Sequence, residues 1–472
     1  MKNLKSFAEW MSLKKDTTSV AELFHVAYLR GGKDRPLTFV FNGGPGAASA
    51  FLHLGALGPK RVGFGKKGEI LAPPVKLFQN SESWIEFTDL VFVDPMGTGL
   101  SHASEKTEKK EDSKGTSKDP VPLSEEKKTD SEKTKQKEDF YQVNRDLDAL
   151  CEFIERFLNK HHRWQSPVFI AGESYGGFRV GKLARRLQEK TGIALNGCVL
   201  ISPALEFGSL NYSPQNTLSW VDVFPSYVAS AKHHGLCDFT QEQAEAFATS
   251  EFAQFLTEFN RTEDSKTRKL LEKTSKMIGL SKELVFQKRG RVEFECYVKE
   301  LLKDKGRVVG LYDASLSTMD PFPESLTHVG PDCTLQGIDW VFNSAINAHL
   351  RENLGVKSER LYNLLNLEAF QAWKVDEKRH AFDTEYGAVQ DLRYSLGLNE
   401  HTKYFVCHGL FDLITPYMAS KRLLNHVFQA TPHVEKRFMF KAYKGGHMFY
   451  TWEESRKQFQ KDARQFYKNA MV

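Results

Sequence analysis

Val168-Phe169-Ile170-Ala171 runs directly into Gly172-Glu173-Ser174-Tyr175-Gly176, and Phe178 to Leu187 follows with helical spacing. The apolar run reads as a buried strand. A serine between a strand and a helix, with glycine two places before and two places after, has the layout of a nucleophile elbow. So tight a turn leaves no room for side chains at the flanking positions, which is why glycine is needed there. The turn lifts the serine hydroxyl above the sheet edge, within reach of a base. A plain glycine turn can carry the same five letters; the strand and helix on either side favour the elbow.

Five other runs share this character: Leu37 to Phe41, Leu90 to Val93, Cys198 to Ile201, Tyr404 to Cys407 and Arg437 to Tyr443. Helical patterns lie between them, which predicts an α/β fold with a mainly parallel sheet and helices on both faces. Ligands gather at the carboxyl ends of strands in such sheets. The runs end at Asn42-Gly43-Gly44-Pro45-Gly46, Asp94-Pro95-Met96-Gly97-Thr98-Gly99, Ser202-Pro203, His408-Gly409-Leu410-Phe411-Asp412 and Lys444-Gly445-Gly446-His447.

Two stretches break the alternation. Ser104 to Asp139 is nearly all Lys, Glu, Asp, Ser and Thr. Such a segment buries too little surface to offset its chain entropy, so 104–139 is expected to be a disordered charged insertion. From about Glu206 to Gly397 the patterns are mostly helical, as in Gln241 to Phe259 and Arg268 to Met277. The expected organisation is a first part of the core over 1–205, an inserted helical cap over 206–397, and a second part of the core over 398–472.

Composition excludes several classes. A net charge of +5 over 472 residues, with lysines interleaved among glutamates, does not mark a nucleic-acid binder. The six cysteines form no Cys-x-x-Cys pair, and no metal or cofactor is expected. Cys198 and Cys407 read as buried thiols, and a disulfide among the others stays open. Met1 to Val20 lacks the apolar centre of a signal peptide, and no run approaches the ~20 apolar residues of a membrane span. The expectation is a cytoplasmic protein with no membrane partner, or a periplasmic or secreted one whose export signal has been trimmed. It would be a monomer or a homodimer.

A serine hydroxyl needs a histidine to take its proton and an acid to hold that histidine in the right tautomer. In α/β-hydrolases the chain order is serine, acid, histidine. Ser174, Asp412 and His447 fit it, the last two in loops after late strands. The developing oxyanion needs two donors. The N–H of Tyr175 is one, and the early glycine loop supplies the other, with Gly44 the candidate.

Together the strings Asn42-Gly43-Gly44-Pro45-Gly46, Asp94-Pro95-Met96-Gly97-Thr98-Gly99-Leu100-Ser101, Gly172-Glu173-Ser174-Tyr175-Gly176-Gly177, Gly409-Leu410-Phe411-Asp412 and Gly446-His447-Met448 resemble the serine carboxypeptidase family. Leu54-Gly55-Ala56-Leu57-Gly58-Pro59 and Gly445-Gly446-His447-Met448-Phe449-Tyr450 look closer to its bacterial branch. The resemblance implies an α/β-hydrolase fold, release of single amino acids from the carboxyl end of peptides, and a preference for acidic pH. It matches Ser174, Asp412 and His447 to the triad and Gly44 and Tyr175 to the oxyanion donors. It matches Asn42, Gly43, Glu173 and Met448 to substrate binding, with Asn42 and Glu173 holding the terminal carboxylate. Two carboxylates share a hydrogen bond only if one keeps its proton, so that hold weakens as pH rises. The chain departs from the family at Val40 (commonly tryptophan), Ala47 (usually a disulfide cysteine) and Ala56 (commonly a second glutamate); His53, a turn earlier, is a candidate substitute donor. An esterase or acyltransferase would use the same triad, and a non-catalytic binding protein could retain the fold.

Overall fold

Every central strand is apolar on both sides, and this builds the sheet. Leu37, Phe39 and Phe41 point into one core while Val40 points into the other; Val168 and Ile170 alternate with Phe169 and Ala171 in the same way, as do Tyr404 and Val406 with Phe405 and Cys407. A strand buried on both faces belongs in the middle of a parallel sheet covered by helices. The computed structural model describes residues 4–104, 140–258, 264–375 and 386–472. The charged insertion expected over 104–139 therefore lies, apart from Ser104, outside the described residues.

In spatial order the sheet runs Lys5–Lys15, Thr18–Leu29, Asp89–Val93, Leu37–Phe41, Val168–Glu173, Gly197–Ile201, Lys403–Gly409 and Phe438–Tyr443, with the short His102–Ala103 strand pairing against Thr18–Leu29. The first two pairings are antiparallel and the remaining five parallel. After Leu37–Phe41 the chain adds Asp89–Val93 on one side and then crosses to add Val168–Glu173 on the other. This reversal is a topological switch point, and the crevice beyond the carboxyl ends there is where such sheets bind ligands. The Asn42 loop and Ser174 leave the sheet at that point.

The helices follow from the same apolar spacing. Val143–His161 buries Val143, Leu147, Leu150, Ile154 and Phe157, steps of three or four that keep one face on the sheet. It packs on that face with Tyr175–Thr191 and Val389–Leu398, while Gln336–Ala348 and Glu453–Ala470 cover the opposite face. The fold is that of an α/β hydrolase.

Between Gly197–Ile201 and its neighbour Lys403–Gly409 the chain builds a third core. Trp220, Phe224, Phe247, Phe252, Leu271 and Tyr297 belong to it, and Leu413 joins from the loop after Lys403–Gly409. The helix expected from Gln241 opens on a capping box formed by Thr240 and Gln243, then widens into a π turn over Ala248–Phe252 before ending at Thr257. All six cysteines are free thiols. Among the described residues, no helix is long and apolar enough to cross a membrane.

Candidate active site

Ser174 stands between the Val168–Glu173 strand and the Tyr175–Thr191 helix at φ 61°, ψ −123°. A non-glycine residue at positive φ is strained, and only its surroundings hold it there. Those surroundings are close. A Cβ on Gly172 would lie 2.1 Å from the Gly176 carbonyl oxygen, and one on Gly176 would lie 2.5 Å from that of Phe41. The flanking glycines are thus a steric requirement. The Ser174 N–H donates to the Ile201 carbonyl (2.9 Å), and the Ser174 carbonyl accepts from Ala204 (3.1 Å), tying the elbow to the end of the next strand.

Asp412 is fully buried just past the end of Lys403–Gly409. Its Oδ1 accepts the N–H groups of Ile414 (2.9 Å) and Thr415 (3.0 Å), and its Oδ2 lies 2.7 Å from His447 Nδ1. The His447 loop is fixed from two directions: its N–H donates to the Tyr312 carbonyl (2.5 Å) and its carbonyl accepts from Ser202 Oγ (2.8 Å). Ser202 directly follows the residue that anchors the Ser174 N–H, so histidine loop and elbow hang on one strand end. Burial alone would raise the Asp412 carboxyl; His447 and the Thr415 hydrogen bonds outweigh it and hold the group below its ordinary value. Burial likewise opposes a charge on His447, and Asp412 outweighs it, so the imidazole is raised. The imidazole's hydrogen bonds to described residues both run through Nδ1, to Asp412 and Thr415, which leaves Nε2 uncommitted. No described hydrogen bond joins the Ser174 hydroxyl to His447; such contacts commonly tighten only when substrate is bound.

On the other side of the elbow, Asn42 Nδ2 donates to Glu173 Oε2 (2.5 Å), and Asn42 Oδ1 accepts from the Leu52 N–H (3.0 Å), which settles the orientation of the amide. Glu173 is pushed up to about 7, first by burial. A Cβ on Gly43 would lie 2.5 Å from the Tyr175 nitrogen and 2.7 Å from the Glu173 carbonyl oxygen, so this loop rests directly on the elbow. Gly44 sits at φ +102°. Among the described residues, neither the Gly44 nor the Tyr175 N–H donates to a backbone carbonyl. Two free donors therefore lie on adjoining backbone beside Ser174. Gly43→Ala forces backbone against backbone, and, if Gly44 and Tyr175 are the oxyanion donors expected from the sequence, a loss of about 10²–10³ in kcat follows. Steady-state kinetics beside a thermal melt will check it; a folded variant with unchanged kcat would separate the loop from the chemistry.

A sequence profile of the family described as serine carboxypeptidase matches residues 3–461. The chain belongs to the serine carboxypeptidase family. Among its relatives are serine carboxypeptidase-like 36 of Arabidopsis thaliana, 27% identical over 205 residues (43% of this chain, 35% of the relative). Serine carboxypeptidase 3 of Triticum aestivum is 26% identical over 203 residues (40% and 33%). The pheromone-processing carboxypeptidase KEX1 of Yarrowia lipolytica is 26% identical over 212 residues (44% and 26%). The chain spans about a third or less of the length of these relatives.

Three features give this member of the serine carboxypeptidase family its own character. Ala56 is buried in the core, and His53 is no substitute for the missing acid. Its Nε2 meets the Tyr28 hydroxyl (2.8 Å), which also meets His349 Nε2 (2.6 Å), and its ring stacks on Phe92. The Tyr450 hydroxyl faces the Glu173 carboxyl instead. Glu173 Oε1 and that hydroxyl are both buried, and neither completes a well-formed hydrogen bond. Met448 is only 9% exposed and packs into the core with Phe449 and Tyr450. Thr415, Tyr450 and Arg179 were not singled out from the sequence. Thr415 had a local signal, an aspartate three residues before a threonine in a loop after a strand; the other two are recognisable only from their neighbours in space. Among the described residues, no group of three or more His, Cys, Asp and Glu side chains could hold a metal ion.

Proposed function

We propose that this protein is a serine carboxypeptidase that releases single amino acids from the carboxyl end of peptides. One observation carries the reading. A buried acid paired with an amide, Glu173 with Asn42, directly precedes the elbow serine, and a buried Asp412–His447 pair lies near enough for the imidazole and the Glu173 carboxyl to act on each other's charge. In this reading Ser174 attacks the last peptide carbonyl and His447 takes its proton. The N–H groups of Gly44 and Tyr175 receive the oxyanion. His447 returns the proton to the departing amino acid, and water then hydrolyses the acyl-enzyme. Asn42 and a protonated Glu173 hold the substrate carboxylate, which fixes the cut at one residue from the end. The stretch 206–397 would serve as a cap over the crevice; it supplies Tyr312, which holds the His447 loop, and Asn366, whose N–H donates to the Gly46 carbonyl (2.8 Å). Six free thiols suit a reducing compartment.

Mass spectrometry of an amino-blocked peptide will test the function. Stepwise loss of residues from the free carboxyl end is expected, with the carboxamide form of the same peptide cut poorly. Equal cleavage of both forms, or turnover of esters only, would move the assignment to an esterase or acyltransferase.

The pH behaviour follows from the two shifted groups. Glu173 must carry a proton to share with a substrate carboxylate, and burial keeps that proton on up to about pH 7. KM for peptides should therefore rise as pH climbs through about 7, by up to about tenfold per unit, while KM for an amino-blocked ester stays flat. Glu173→Gln, which cannot ionise, should abolish that rise. His447 must be neutral to act as base, and its raised value places the acid limb of kcat/KM above that of an ordinary histidine. Kinetics on both substrates from about pH 5 to 9 will check the split; parallel KM profiles for the two substrates would remove Glu173 from carboxylate binding.

A further inference from the structure

We propose that the buried Arg179–Asp146 pair is a positioning device that locks the two oxyanion-donor segments, the Asn42–Pro45 loop and Tyr175, to one another. The inference rests on the reading of Ser174 as nucleophile. Arg179 is fully buried and Asp146 nearly so. The guanidinium grips the carboxylate with two bonds, Nε to Oδ2 (2.7 Å) and Nη2 to Oδ1 (3.2 Å). This is the fork geometry that only arginine offers. Its remaining donors leave the pair and reach the glycine loop: Nη1 donates to the Asn42 carbonyl (2.7 Å) and Nη2 to the Pro45 carbonyl (3.3 Å).

Those two carbonyls bracket Gly43 and Gly44, which have no side chains with which to hold themselves. Between them, the Gly43 carbonyl accepts the Ala47 N–H (2.9 Å). A trans peptide sets its N–H opposite its C=O, so turning the Gly43 oxygen toward Ala47 turns the Gly44 N–H the other way. Arg179 clamps this arrangement from both ends. It also sits one helical turn beyond Tyr175 and lies over its ring at 4.8 Å, while the Tyr175 hydroxyl accepts from Trp373 Nε1 (2.9 Å). One side chain thus touches the backbone on both sides of one proposed donor and the side chain of the residue that carries the other. A buried ion pair seldom adds net stability over apolar residues of the same size. The aim of its spare donors supplies a different reason for its presence.

The test uses two variants of the full chain, Arg179→Lys and the paired change Asp146→Leu with Arg179→Met, which leaves no unpaired buried charge. On an amino-blocked p-nitrophenyl ester, kcat is expected to fall by about 30-fold or more in the first and about 100-fold or more in the second. KM should stay within about twofold of wild type in both. Affinity for a peptide boronate, which mimics the tetrahedral intermediate, should fall with kcat, and affinity for a product peptide should not. A folded variant that keeps kcat within about threefold overturns the device. So does a loss of kcat matched by KM, product affinity and folded fraction, which would mark a merely structural pair. A wild-type protein that neither hydrolyses the ester nor is labelled at Ser174 by a fluorophosphonate overturns the nucleophile reading together with it. A labelled, active wild type with an insensitive variant overturns only the device.

Discussion

Ser174→Ala is expected to lower kcat by about 10⁶ on peptides and esters alike and to leave the fold unchanged. The size follows from the proposed role: with no hydroxyl no acyl-enzyme could form, and His447 would have nothing to deprotonate. The unchanged fold follows from the structure. Ser174 is held at φ 61° by its backbone bonds to Ile201 and Ala204 and by the glycine contacts around it, none of which involves the hydroxyl. Alanine keeps the same Cβ and the same strain. Glycine removes it, so Ser174→Gly should be equally inactive but more stable, by about 1 kcal/mol. Fluorophosphonate labelling, turnover and thermal melts of the three proteins will check this. Residual turnover within about a hundredfold of wild type would point to another nucleophile. A glycine variant no more stable than the alanine one would show that the elbow carries no strain.

What was legible in the sequence divides along the reach of the interactions involved. Val168–Glu173 and Leu37–Phe41 could be read because a strand apolar on both faces leaves a continuous run, and the glycines at 43, 172 and 176 because each answers a contact between backbones. The pairing of Asp412 with His447 was legible through chain order and through the strands that precede the two residues. The first two strands were not. Lys5–Lys15 lies at the sheet edge with one buried side only in part, so its pattern stays weak, and the Asp16 turn at φ 55° carries no glycine to mark it. His53 offered a donor at a suitable spacing, yet its ring nitrogen meets the Tyr28 hydroxyl, which in turn meets His349 from a distant part of the chain. Arg179 carries no signal of its own within the helical spacing of Phe178 to Leu187. Its burial depends on Asp146 from a neighbouring helix and on carbonyls from the Asn42 loop, a convergence with no periodic signature.

Asp412→Asn should lower kcat by about 10⁴ at neutral pH, with KM little changed and the protein still folded. The hydrogen bonds around Asp412 dictate the outcome. Oδ1 accepts two backbone N–H groups, from Ile414 and Thr415, while Oδ2 faces His447 Nδ1 and the Thr415 hydroxyl. An asparagine must turn its carbonyl oxygen to the two backbone donors, because its amide group cannot accept from them. That puts the NH₂ group opposite His447 Nδ1, which must then give up its proton and accept. The proton moves to Nε2, where it blocks the lone pair that would take the serine's. Aspartate's charge is lost as well. It is what raises His447 against its burial, so the imidazole should fall below its ordinary value, and the acid limb of the remaining activity should move to lower pH. Kinetics with an ester and with a free-carboxyl peptide should fall by one common factor, since neither Asn42 nor Glu173 is touched. A loss confined to peptides would place Asp412 in carboxylate recognition, and activity within about tenfold of wild type would release His447 from dependence on it.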